Sequence, residues 1–120
     1  MSEATDSLLA SFRDAAIRKG EILLPAKIDH QLHREMAMAF WALQDLGEPG
    51  MKAFRSLLHD ESPEVRGWAA AELLSEGDTG AVDVLEALEA ADGWVGFSAK
   101  WTLTEYRGGK LGSPFGERDA

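Results

Sequence analysis

His30 and His33 lie three residues apart with Glu35 close behind, and on a helix such side chains share a face; two imidazoles and a carboxylate can bind zinc. No fourth ligand accompanies them, and solvated or capping histidines account for the spacing, so no metal is expected there and no cofactor elsewhere. His59 directly precedes Asp60, and neighbouring helical residues point apart, which disfavours a base and its orienting acid. Asp83, Glu86, Glu89 and Asp92 recur as carboxylates along one stretch, a pattern that a solvated helix face explains. Catalysis needs converging groups, and the chain has no glycine-rich phosphate loop, nucleophile elbow or triad-like spacing. The expectation is a protein that is not an enzyme.

Binding chemistry is better represented. Four tryptophans, Trp41, Trp68, Trp94 and Trp101, are many for 120 residues, and large amphipathic rings are common anchors of protein interfaces. What they can do depends on the elements that carry them.

Glycine, proline and capping residues divide the chain into six expected helices. The first runs from about Asp6 to Lys19, with Leu8, Leu9, Phe12, Ala15 and Ala16 on one stripe and Gly20 as its stop. An irregular connection over residues 21–28 contains Pro25, which a helix interior does not tolerate. The second helix runs from about Asp29 to Leu46, and the third from Pro49 to near His59. Ser62 caps a fourth that starts at Pro63 and ends near Ser75. Asp78 or Thr79 caps a fifth with Val82, Val84, Leu85 and Leu88 inward, and Asp92 caps a sixth from about Gly93 to Arg107. Gly96 inside that helix costs about 1 kcal/mol against alanine and marks a tight contact. Residues 1–5 and the Gly- and Pro-rich residues 108–120 read as flexible ends around a single domain, 6–107.

A thirty-residue register runs through the second, fourth and sixth helices: Ala39, Ala69 and Ala99 align, as do Leu43, Leu73 and Leu103, and Val65 falls on Val95. Such self-similarity means stacked supersecondary units, here pairs first–second, third–fourth and fifth–sixth. With about 100° of rotation per residue, the stripe Val65, Ala69, Leu73 faces inward, Ala71 and Ser75 point away, and Trp68 stands at the flank. The register puts Trp41 and Trp101 on the Ala71 position and Trp94 on the Glu64 position. The expected site is therefore an aromatic groove of Trp41, Trp68 and Trp101, with Trp94 nearby, rimmed by Asp45, Glu72 and Glu105. The alternative is that these rings pack against adjacent helices as ordinary core.

Twenty-one acids against 12 bases give a net charge of −9, which disfavours nucleic acid and suits a basic protein partner, although acidity also serves solubility alone. Without cysteine there is no disulfide framework, and no apolar run approaches the roughly 20 residues of a membrane span. A cytoplasmic protein with no membrane partner is expected, as a monomer or weak homodimer.

The stretch from Leu57 to Asp60 and on through Pro63-Glu64-Val65-Arg66-Gly67-Trp68-Ala69-Ala70 to Leu73-Leu74, with Ala99 to Arg107, Gly109 and Leu111, resembles HEAT-type repeats. It is closer still to a small bacterial family of HEAT-like proteins whose function is unassigned. The resemblance covers roughly residues 10 to 111 and departs from the family at Tyr106, where a tryptophan is usual. It implies an all-α, short right-handed solenoid of three stacked helix pairs, acting as an adaptor or immunity-type interaction module. It also implies a bracing role between repeats for Arg66. Other readings left open are a small-molecule-binding or enzyme-associated domain and a structural homo-oligomer subunit.

Overall fold

The structure, a computed structural model, describes residues 2–21 and 23–118. Among these the chain is all-helical: α1 (Glu3–Lys19), α2 (Ala26–Asp45), α3 (Glu48–Arg55), a 3-10 turn (Ser56–His59), α4 (Pro63–Ser75), α5 (Ala81–Leu88) and α6 (Gly93–Arg107). These helices form two compact units, Met1–Leu57 and Leu58–Ala120. In the first, α1, α2 and α3 pack mutually; in the second, α4, α5 and α6 do. The expected third–fourth pair straddles this division.

Helix ends mostly follow their local chemistry. α1 starts three residues earlier than expected because Ser2 caps it: the Thr5 amide donates to Ser2 Oγ at 3.2 Å, and Thr5 is buried. Of the stretch expected to be flexible, Met1 lies outside the described residues, as do Asp119 and Ala120 at the other end and Ile22 in the irregular connection. α2 also starts early, at Ala26, because Pro25 takes the cap position with an extended backbone rather than interrupting the helix. The Ser62–Pro63 start of α4 is as expected, with the Val65 amide reaching Ser62 Oγ at 3.5 Å. α5 departs from expectation: Gly80, not Asp78 or Thr79, takes its N-cap position, with no side-chain cap bond, and Asp78 Oδ1 instead accepts from the Gly80 amide at 3.1 Å in the turn before the helix.

The first unit is built on three phenylalanines. Phe12 meets Phe54 edge-on at 5.2 Å, and Phe40 lies tilted at 4.8 Å from Phe54. Leu9, Ala15, Ala16, Leu32, Met36 and Leu43 are buried in the same unit. Lys19 Nζ donates to Asp29 Oδ1 at 2.8 Å, tying the end of α1 to the first turn of α2.

In the second unit α4 is the central helix. Val65, Ala69 and Leu73 are buried as the inward stripe requires, but so are Ala70, Ala71, Glu72 and Leu74. Alanine at 69–71 keeps the helix slim enough for neighbours on several sides. Every alanine and leucine of the register is buried: Ala39, Ala69 and Ala99, and Leu43, Leu73 and Leu103. From α5, Ala81, Leu85 and Leu88 go inside, while Val82 and Val84 are half-buried at its edges.

Candidate functional site

The face of α6 opposite its core stripe carries large rings. Gly96, Ala99, Thr102 and Leu103 are buried, whereas Trp94, Phe97 and Trp101 are 67%, 60% and 59% exposed. Their spacing, three and then four residues, places all three rings on one face. The Trp94 and Phe97 rings lie 5.6 Å apart at 32°, so they form one continuous apolar surface. The hydroxyls beside them are turned inward onto the helix: Thr104 Oγ1 donates to the Lys100 carbonyl and Thr102 Oγ1 to the Ser98 carbonyl, each at 2.9 Å. Glu105, half-buried, follows Trp101 by one turn and gives this face an acidic end.

Phe97 was not anticipated from the sequence. Its signal was present, since 94, 97 and 101 share a face opposite Gly96, Ala99 and Leu103, but the thirty-residue register drew the tryptophans into a row across helices instead. That register predicts inward direction well and exposure poorly. Ala71 and Trp101 share a register position, yet Ala71 is buried and Trp101 open. The two helices differ in how much of their circumference is buried: on α4 Ala70, Ala71, Glu72 and Leu74 are buried beside the inward stripe.

The expected groove is therefore revised residue by residue. Trp101 and Trp94 are exposed, and Glu105 is at the end of their face. Trp68 is half-buried and stacks on Phe115, with ring centroids 6.4 Å apart at 29°. Trp41 is half-buried and Asp45 exposed on α2, in the other unit. Arg66 is half-buried; its Nη1 donates to the Asp60 carbonyl at 2.7 Å, and it lines a shallow depression with Leu58, Asp83, Val84 and Ala87. His30 is exposed and His33 half-buried, and among the described residues no group of three acids or histidines is arranged to hold a metal.

Glu72 corrects the expectation most clearly. It is 2% exposed, so it is no rim acid. Ser113 Oγ donates to its Oε1, and Ser75 Oγ lies 3.3 Å from its Oε2. Burial, and then the hydrogen-bonded Glu76 carboxyl one turn on, push its pKa up to about 8, with the Ser113 hydroxyl pulling the other way. At neutral pH this group mostly keeps its proton. Between about 4.5 and about 8 the unfolded chain releases that proton and the folded chain retains it. Stability conferred by the neutral carboxyl is therefore full below that window and falls through it, by at most about 1.4 kcal/mol per pH unit. Glu72→Gln keeps the neutral shape at every pH, so denaturant titrations at about pH 5 and about pH 9 should show the variant gaining on the wild type by at least tenfold in folding equilibrium. Parallel pH profiles would contradict the buried acid.

The tail missed by the sequence reading is part of this same structure. Residues 108–118 were expected to be free, yet Phe115 is buried against Trp68 and Ser113 reaches Glu72. A lone aromatic among glycines was the available signal, and the surrounding Gly108, Gly109, Gly112, Pro114 and Gly116 hid it.

Charge is divided unevenly. Residues 58–120 hold 13 acids against five bases, a net of −8, and so carry nearly all of the chain's −9. The exposed aromatic face thus belongs to the strongly acidic unit. No helix among the described residues is long and apolar enough to cross a membrane. Comparison of the chain with protein-family models, with curated proteins and with solved structures found no match in any of the three.

Proposed function

We propose that this chain is a non-enzymatic protein-interaction module of the cytoplasm whose α6 face, Trp94, Phe97 and Trp101, binds a basic protein. The observation that carries this reading is a contiguous exposed aromatic stripe on the unit that holds a net charge of −8. Rings of this kind desolvate well and attract Arg and Lys through their faces, and the surrounding acidity steers a cationic partner in. Self-association through the same face is less favoured, because it would bring two units of like charge together. An adaptor or an immunity-type protein that masks a cationic toxin is the biological form this takes. The HEAT-like arrangement, a short right-handed solenoid of three pairs, belongs to the same proposal and is supported by the buried alanine and leucine register.

The test is retention of proteins from native cells on the tagged chain at low and high salt, beside a variant with alanine at 94, 97 and 101. Because these side chains are exposed, the variant should fold within about 0.5 kcal/mol of the wild type per substitution. A basic partner should be held at low salt, be weakened by high salt, and be lost from the variant, with each tryptophan worth about 2 kcal/mol or more of affinity. Equal retention by the folded variant would place binding elsewhere.

A further inference from the structure

The described tail, residues 108–118, has a built path. α6 ends in a six-to-one turn: the Lys110 amide donates to the Glu105 carbonyl at 2.9 Å, and Gly109 at φ +72° supplies the left-handed residue that this turn needs. The chain then returns to α4, where Trp68 and Glu72, one helical turn apart, receive Phe115 and Ser113 respectively. The strap also holds its own shape, since the Phe115 amide donates to Ser113 Oγ at 3.2 Å and the Gly116 amide to the Ser113 carbonyl at 3.2 Å.

Three properties mark it as a cover that can leave. Gly108, Gly109, Gly112 and Gly116 punctuate the segment, so ordering it forfeits more backbone freedom than an ordinary sequence would. Its contacts include one ring on one ring and one hydroxyl on one carboxyl, a pattern that another chain can reproduce. Lys110, three positions before Ser113, sets a basic group ahead of the contact residues on a unit of net charge −8, while Glu117 and Arg118 follow them with opposite charges.

We propose that the α4 face bearing Trp68 and Glu72 is a second recognition surface, occupied in the free chain by its own Ser113-Pro114-Phe115. Its partner is a segment of another protein that presents a hydroxyl two residues before an aromatic ring, with a basic residue upstream of both. The tethered strap competes at an effective concentration on the order of millimolar, so it excludes weak or partial mimics and admits segments that make both contacts well. This surface lies on a different helix from the α6 stripe and stands or falls independently of it.

Two measurements on the full chain test it. In the wild type, hydrogen exchange at the Phe115 and Gly116 amides should run at least tenfold faster than at the Leu73 and Leu74 amides of α4, showing that the strap opens while the helix stays folded. Exchange at a common rate would overturn the proposal, because the strap would then be an integral part of the core. The second uses the chain carrying Ser113→Ala and Phe115→Ala, with a synthetic peptide of the sequence 108–118 as the probe. The peptide should shift the Trp68 indole resonance in saturable fashion, and the same peptide with alanine at both contact positions should bind at least tenfold more weakly. No shift at millimolar peptide, or equal binding of the two peptides, would overturn it. Concentration-dependent dimerisation of the wild type that the variant lacks would also overturn it, in favour of tails exchanged between copies.

Discussion

Alanine at Gly96 should destabilise the second unit by about 3 kcal/mol, the upper end of the usual range for overfilling a well-packed site. A Cβ there would stand 1.8 Å from the Ala91 carbonyl oxygen and 3.2 Å from that of Glu89. Both are backbone atoms in the connection leading into α6, so no side-chain rotation relieves the clash; the loop or the helix must move. Gly67→Ala is the matching control. It sits within α4, where a new Cβ would find Leu88 Cδ1 at 3.7 Å, an ordinary contact. That substitution should be neutral or stabilising by up to about 1 kcal/mol through helix propensity. Denaturant midpoints of the two variants should therefore move in different directions. Equal behaviour would mean that Gly96 answers to propensity alone.

Phe54→Ala should be comparably damaging to the first unit, by about 3–5 kcal/mol. Phe54 is fully buried and touches both Phe12 and Phe40, so its removal leaves a cavity and breaks two ring contacts at once. Trp101→Ala removes an even larger ring, but one that is 59% exposed, and should shift stability by about 0.5 kcal/mol or less. The pair separates core aromatics from presented ones. A Trp101→Ala chain that melts as early as Phe54→Ala would place that ring in the packing and remove the basis for a binding face on α6.

Much of the architecture was readable locally. The Ser62–Pro63 start of α4 is decided by neighbours in sequence, because caps and breakers act on backbone groups within one turn; α6 spans the expected Gly93 to Arg107, although the Asp92 side chain, expected as its cap, makes no capping hydrogen bond. The inward alanines and leucines were readable for a related reason: helical periodicity fixes which residues share a face. Two boundaries moved where a residue had two compatible roles. Pro25 became a cap rather than a breaker in a loop, and Ser2 captured a turn of helix from what read as a loose end.

The site was less legible. Periodicity says which residues lie together on a helix, but not how many neighbours surround that helix. Glu72 reads as a surface acid in any window of sequence; in the fold it is buried, which raises its pKa, and Ser113 from the returning residues 108–118 hydrogen-bonds it and pulls the other way. Trp68 looked like a member of an open aromatic row until Phe115, 47 positions later in the sequence, was found stacked on it. The opposite happened on α6, where no comparable segment covers Trp94, Phe97 and Trp101 among the described residues.

The sequence by itself determined an all-helical chain, its helix starts and stops to within a few residues, the buried register of Ala39, Ala69 and Ala99 with Leu43, Leu73 and Leu103, and an acidic character. Those are consequences of caps, period and composition, all of which act at short range. Only the tertiary structure decided which rings face solvent, that Glu72 is buried and mostly neutral, and that the glycine-rich end closes over Trp68. Exposure and acidity depend on atoms brought close from distant positions, and no local pattern encodes that proximity.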